Sequence, residues 1–293
     1  MTASLADRLE MMLTRIDCAA VARAAAGQGP GEDAETLKAY LETYLNEALV
    51  GLDLIAPTID GETPRILEIG SGVGILTAFL SSAGYDITGI EPGAAAGFDF
   101  MGRLGAALSD QEESAILPIG AEALTPEDHG RFDLIFSVNV VEHVQSLDSA
   151  MAALARVLAP GGTMIHLCPN YAFPYEPHLG IPLIPFAPQA TRHIARARIR
   201  RQQRVWDSVN FVTAGRIARL AAANGMAVRF RGGVMAAFLD RLRTDPVFRA
   251  RQPGPIAGMV RIPGLVTALA GAMRLIPPRL ASPMVFTLKH RTE

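Results

Sequence analysis

The stretch Leu67-Glu68-Ile69-Gly70-Ser71-Gly72-Val73-Gly74 decides the fold. An apolar run over 65–69 leads into three glycines at alternate positions, and the run 75–83 behind them has the pattern of a helix. Glycine at 70, 72 and 74 removes side chains where the chain turns tightly, and it leaves amides near a helix N-terminus to receive an anionic group. A dinucleotide fingerprint spaced GxGxxG requires glycine at position 75, where this chain has Ile75. The spacing is GxGxG, with Glu68 two residues before the first glycine. An acid there suits a ligand with an ammonium group better than one with a pyrophosphate. Glu91, 23 residues after Glu68, closes a second apolar run, where a carboxylate can accept both hydroxyl protons of a ribose. A strand-end ion pair for Glu68 and a plain helix N-terminal acid for Glu91 are the structural alternatives.

Outward from this turn, short apolar runs alternate with helical stretches, which predicts βαβ units in a parallel sheet. Strands are expected at 65–69, 86–91, 115–119, 132–138 and 163–168. A helix over 147–158 is expected to end at Pro160, Gly161 and Gly162. A helix over 213–224 and strands over 227–231 and 284–290 would complete the sheet. The domain so defined spans 64–293, with insertions at about 171–204 and 235–283. Residues 1–63 read as a helical cap of two helices about a loop at 27–31. Its second helix, 35–55, carries Leu37, Tyr40, Leu41, Tyr44, Leu45, Ala48, Leu49 and Leu52 on one stripe and is expected to stop at Pro57 and Gly61.

Composition narrows the class. Of 293 residues, 49% are hydrophobic and 19% charged, enough to bury a full core and against disorder. The formal net charge of -2 gives no reason to expect nucleic acid, although many of the arginines lie after residue 190. Cys18 and Cys168 stand far apart without a CxxC partner, so neither a disulfide framework nor a thiolate zinc site is expected, and a cytoplasmic setting fits. Charged residues interrupt the first 30 positions, which argues against a signal segment. The least polar window, the 12 residues between Arg261 and Arg274, contains Pro263 and falls short of the roughly 18–20 a bilayer span needs.

Together the run 67–74, Glu91-Pro92, Gly120-Ala121-Glu122-Ala123-Leu124, the run 132–144 ending Asn139-Val140-Val141-Glu142-His143-Val144, and Leu158-Ala159-Pro160-Gly161-Gly162 resemble a class I S-adenosylmethionine-dependent methyltransferase. More narrowly, the chain is similar to the small-molecule branch that contains the quinone and lipid methyltransferases. The resemblance covers 64–168 well. It implies a Rossmann-like α/β fold: a seven-stranded, mostly parallel sheet with helices on both faces and an antiparallel last strand. It also implies S-adenosylmethionine as cofactor, with Glu68, Gly70, Ser71, Gly72 and Gly74 holding the methionine part, Glu91 with Pro92 the ribose, and Ala121 with Glu122 the adenine edge. Ser137, Asn139 and Val140 would frame the methyl donor.

Methyl transfer is an in-line displacement, so alignment and exclusion of water are the protein's main tasks. A hydroxyl or protonated amine acceptor also needs a base. His143, next to Glu142, is the first candidate, and a helix-entry packing histidine is the alternative. The run Asn170-Tyr171-Ala172-Phe173-Pro174-Tyr175-Glu176-Pro177-His178 offers Glu176 and His178 as further candidates. One Glu and one His in that run make no metal ligand set, and no metal is assigned. Six arginines and His193 between 192 and 204 read as a solvated face, or as a positive rim for an anionic acceptor or lipid headgroup.

The expectation is therefore methyl transfer to O or N of a small, amphiphilic or anionic molecule, with peripheral membrane contact as an open partner. An NAD-linked oxidoreductase, a nucleic-acid methyltransferase and a non-catalytic cofactor-binding protein are the alternatives. Ile75 and Glu68 speak against the first. Asn139 followed by Val140 and Val141, where base-methylating enzymes have an Asn- or Asp-Pro-Pro-aromatic segment, speaks against the second.

Overall fold

Strands whose residues are apolar without alternation belong where both faces are covered, and the structure puts them there. It is a computed structural model and describes residues 4–28, 31–59, 63–93, 99–108, 116–250 and 254–291. In chain order the elements are α1 (Leu5–Leu13), α2 (Cys18–Ala26), α3 (Ala34–Ile59), β1 (Ile66–Ile69), α4 (Ile75–Ser82), β2 (Ile87–Ile90), α5 (Phe100–Leu108), β3 (Ile116–Leu117), α6 (Pro126–His129), β4 (Phe132–Val138), α7 (Leu147–Val157) and β5 (Leu158–Cys168). The chain continues with β6 (Tyr175–Glu176), β7 (Ile181–Pro182), α8 (Arg196–Arg201), α9 (Gln203–Ser208), α10 (Ala214–Ala223), β8 (Met226–Arg231), α11 (Val234–Thr244), α12 (Pro246–Ala250), α13 (Gly254–Gly258), α14 (Leu265–Arg274) and β9 (Met284–His290).

Seven strands form one mostly parallel sheet in the order β3-β2-β1-β4-β5-β9-β8, as the resemblance implies. β1 pairs in parallel with β2 and with β4, which sets Glu68 level with Gly89 and Phe136. The chain divides into two compact units, Met1–Val140 with Ser146–Ile165 and Lys289–Glu293, and Val141–Gln145 with His166–Leu288.

In the first unit the core gathers on β1 and β4, where Ile66, Leu67, Leu134, Ile135 and Phe136 are fully buried. Helix α3 lays its stripe of Leu37, Leu41, Leu52 and Ile55 against α2, α4 and β4. Gly51 lets it approach closely, since a Cβ there would come within 2.7 Å of the Leu76 side chain. The helix does not stop at Pro57 as expected but runs on to Ile59. Proline there removes one amide donor in the last turn, and burial of Leu54, Ile55 and Ile59 offsets the loss. Gly61, residues 29 and 30 of the first loop, and residue 115 of the third strand lie outside the described residues. A second difference is at β5, which begins at Leu158 and takes in Pro160-Gly161-Gly162. A Cβ on Gly162 would come within 3.1 Å of the Asp133 carbonyl oxygen, so β4 and β5 approach closely there.

In the second unit, β6 and β7 form a small antiparallel hairpin, with Glu176 opposite Ile181. Asn170 is its structural hub: its amide donates to the carbonyls of Arg279 (2.9 Å) and Ala281 (3.0 Å), and its Oδ1 accepts from the amides of Ala172 and Ala214. Helices α11 and α14 pack through Ala236, Leu239, Leu242, Val266 and Ala270. Among the described residues, no helix is long and apolar enough to cross a membrane.

Candidate active site

β1 ends at Ile69, and the next residues turn back only because Gly70, Gly72 and Gly74 take φ values of 65°, 56° and 82°. A side chain at those angles is strained. Space matters as much: a Cβ on Gly70 would collide with Val140, and one on Gly72 would sit 3.1 Å from the Tyr44 ring. The turn's amides are used differently from the expectation. Gly70 and Ser71 donate to the Ile90 carbonyl (2.8 and 3.1 Å), Gly74 donates to that of Ser71 (2.8 Å), and Gly72 donates to Glu91 Oε2 (3.1 Å). The glycines thus serve close approach, while these four amides hold the turn's own shape.

Acidic side chains gather over this cradle. Glu68, at the end of β1, accepts from the Thr77 hydroxyl on α4 at 2.5 Å. Gly89 makes room for that contact, since a Cβ there would meet Thr77 Oγ1 at 2.8 Å. Desolvation pushes the Glu68 carboxyl up to about 7, against the bonds from Thr77, and the charges of Glu91 and Glu47 add to the rise. Burial also raises Glu91, while the amides of Gly93 and Gly72 hold it down. Tyr44, Glu47, Glu68, Gly70 and Val138 line a cavity of about 30 Å³, room for about two waters.

The remaining expected cofactor residues fall around the same strand ends. Ser137 is fully buried in β4. Asn139 follows β4 with φ 54°, and its amide donates to Glu47 Oε1 at 2.7 Å, tying the loop to α3. Val140 covers Gly70. Ala121 is buried in a one-turn 3-10 helix, and Glu122 beside it is exposed, its carboxylate folded against Gly120. Pro92 is half-buried behind Glu91. From sequence, Tyr44 belongs only to a core stripe, and no motif marks Glu47 or Thr77. The helical spacing that sets Tyr44 and Glu47 on one face was the available signal.

The second unit brings the three expected catalytic residues together. His143, in a one-turn 3-10 helix over Val141–His143, and His178, just after β6, have ring centroids 5.0 Å apart. His178 Nδ1 lies 2.6 Å from Glu176 Oε1, and its Nε2 lies 3.9 Å from Oε1 of the fully buried Glu142. Glu176 also accepts from the Tyr171 hydroxyl and from the amides of His178 and Leu179. Burial opposes the charge on Glu176, but His178 and these amides override it and hold the carboxyl below its ordinary value. Desolvation, helped by His178, pushes His143 down to about 4. Its Nδ1 lies 2.8 Å from the Ser208 hydroxyl. Asn210 pins the turn from behind, donating to the carbonyls of Val141 and Val144 at 2.8 Å.

Known proteins agree with this reading of the fold. Residues 36–229 match a family described as a methyltransferase domain, and the chain belongs to that family. It is an enzyme of the methyltransferase class. An uncharacterized protein of Mycobacterium tuberculosis strain H37Rv is 35% identical over 233 residues, 76% of this chain and 75% of that protein. The ubiquinone biosynthesis O-methyltransferase of Alkalilimnicola ehrlichii is 37% identical over 115 residues. That match takes in 39% of this chain and 45% of the relative, so the chain spans less than half of the ubiquinone enzyme. Among solved structures, the YcgJ protein of Bacillus subtilis superimposes with a TM-score of 0.47 at 14% identity, over 83% of this chain and 99% of its own.

Proposed function

We propose that the enzyme methylates an oxygen or nitrogen of a small molecule, with S-adenosylmethionine seated on the glycine cradle of the first unit. The observation that carries this is the set of carboxylates, Glu47, Glu68 and Glu91, over a turn that only glycine can form. A ligand with an ammonium and a sulfonium charge offsets the burial that raises Glu68 and the repulsion from Glu91 and Glu47 that adds to it, whereas a pyrophosphate would increase that repulsion. When bound, S-adenosylmethionine supplies a methyl group on positive sulfur: the acceptor's lone pair forms the new bond to carbon, and the C–S pair stays on sulfur. Glu68 holds the ammonium end, Glu91 the ribose hydroxyls, and Ala121 the adenine edge.

His143, Glu176 and His178, together in the second unit, are the residues suited to take a proton from a hydroxyl or amine. The ubiquinone relatives favour a small-molecule hydroxyl. A groove lined by Arg192, His193, Arg196, Arg200 and Gln203 supports an acceptor that carries negative charge, or contact with anionic headgroups. Calorimetry with S-adenosylmethionine and with NAD tests the donor: binding of NAD alone overturns the reading. Incubation with methyl-labelled S-adenosylmethionine and a fractionated metabolite and lipid extract tests the acceptor, and label appearing only in nucleic acid would move the function to another class.

A further inference from the structure

The cluster of the second unit has an arrangement that proton transfer does not require. Glu142, His143 and His178 each contribute a ligating atom, and these atoms lie within 4.8 Å of one another. The hydrogen bonds behind the two rings fix which nitrogen of each carries its lone pair. Ser208 donates its one hydroxyl proton to the Val205 carbonyl at 2.8 Å, so toward His143 it can only accept. His143 therefore carries its proton on Nδ1 and its lone pair on Nε2. His178 donates from Nδ1 to the Glu176 carboxylate, which places its lone pair on Nε2 as well, facing Glu142. A histidine whose far nitrogen is held by a carboxylate or hydroxyl is the usual support of a metal ligand. Glu176 is in turn held by Tyr171 and by two backbone amides, so the support is rigid.

We propose that Glu142, His143 and His178 bind one divalent transition-metal ion, with zinc the ion whose ligand preferences they match, and that Glu176 and Ser208 position the two rings. Two imidazoles and one carboxylate with a fourth position for an oxygen ligand is a donor set of metal sites that act on substrates. Zinc draws its ligand atoms to roughly 3.4 Å of one another, given bonds of about 2.1 Å in a tetrahedron. His178 has room to close that spacing, because its side chain is 29% exposed while that of Glu142 is fully buried. The same exposure gives the ion its way in. A hydroxyl at the fourth position would lose its proton to solvent near neutral pH, the ion taking over the deprotonation that the unliganded rings would otherwise perform. That role rests on the methyl-transfer reading, whereas metal binding does not.

Titration of chelator-treated protein with Co²⁺, followed by its visible absorption and by calorimetry, tests the site without S-adenosylmethionine. The expected result is one equivalent bound with a d–d band, competed away by Zn²⁺. Binding should be lost in His143→Gln and His178→Gln and weakened about 10–100-fold in Glu176→Gln. His290→Gln, at an exposed histidine at the end of β9, should leave it unchanged. Absence of binding by the wild-type protein overturns the proposal, as does binding that survives in both ring variants. If those variants fail to fold, a Co²⁺-soaked crystal of the wild type decides: anomalous density among the three side chains supports the site, and density only elsewhere refutes it. A wild type that binds Co²⁺ but not S-adenosylmethionine would keep the metal site and sink the donor reading, and the reverse outcome would do the opposite.

Discussion

The glycine cradle of the first unit and the histidine–glutamate cluster of the second are built in opposite ways. In the cradle, shape comes from consecutive residues: a strand, three glycines and a helix start force one backbone path, and side chains are added around it. In the cluster, the backbone is unremarkable, and the chemistry comes from two segments far apart in sequence whose side chains meet. Local geometry is sensitive to a single added atom. An assembled cluster is sensitive to whatever holds its segments in place.

The largest effect should come from the cradle. Replacing Gly72 by Leu puts a side chain where φ is positive and the Tyr44 ring already stands 3.1 Å from a Cβ. Loss of measurable S-adenosylmethionine binding in calorimetry, with the far-ultraviolet spectrum retained, is the expected outcome. Retained affinity would mean that the turn is not where the donor binds.

Asn170→Ala should show the opposite character in the second unit. Removing a buried amide that serves several backbone groups costs about 2–4 kcal/mol, read as a fall in unfolding midpoint with donor affinity nearly unchanged. A loss of donor affinity as large as that of the glycine variant would blur the distinction between the two regions.

A smaller effect is tied to pH. With the Glu68 carboxyl at about 7, only about a tenth is ionised at pH 6 and about nine-tenths at pH 8. A cationic ligand prefers the carboxylate, so affinity should rise severalfold between pH 6 and pH 8, with proton release on binding near pH 7. The same raised value means that ionising Glu68 opposes folding, so wild-type stability should fall as pH rises from about 4.5 to about 7 and level off above that. Glu68→Gln should flatten both trends. A wild-type affinity that is level with pH would remove Glu68 from the site.

The smallest effect is expected at Asn139→Ala. Its bond to Glu47 ties the loop after β4 to α3, and losing it should cost about 1 kcal/mol and change donor affinity only a few-fold. A larger drop would place Asn139 against the donor itself, as the resemblance implies.

What could be read in advance follows the same division. Strands β1, β2 and β4 were legible because apolar runs and glycines are contiguous signals, and Glu68, Gly70, Gly72 and Glu91 came with them. Pro57 misled because its rule concerns one hydrogen bond, whereas burial of Leu54, Ile55 and Ile59 decides the helix end. The hairpin of β6 and β7 has two-residue strands, too short to show any period. His143 beside Glu142 and His178 were visible as separate candidates, but nothing local reveals that His178 meets the other two. Tyr44 and Glu47 were hidden for a related reason: the stripe that packs α3 also carries the residues that look out over the cradle.

Glu91 keeps one oxygen on the Gly72 amide and the other on that of Gly93, at 3.1 and 2.9 Å. Each oxygen of a carboxylate has a second lone pair, and with both ends clamped the two spare pairs form a stiff fork. If the ribose binds at that fork as proposed, no carboxylate torsion is left to freeze, and a nucleoside lacking one of its two hydroxyls should lose a full contact there with no adjustment of the fork to recover it.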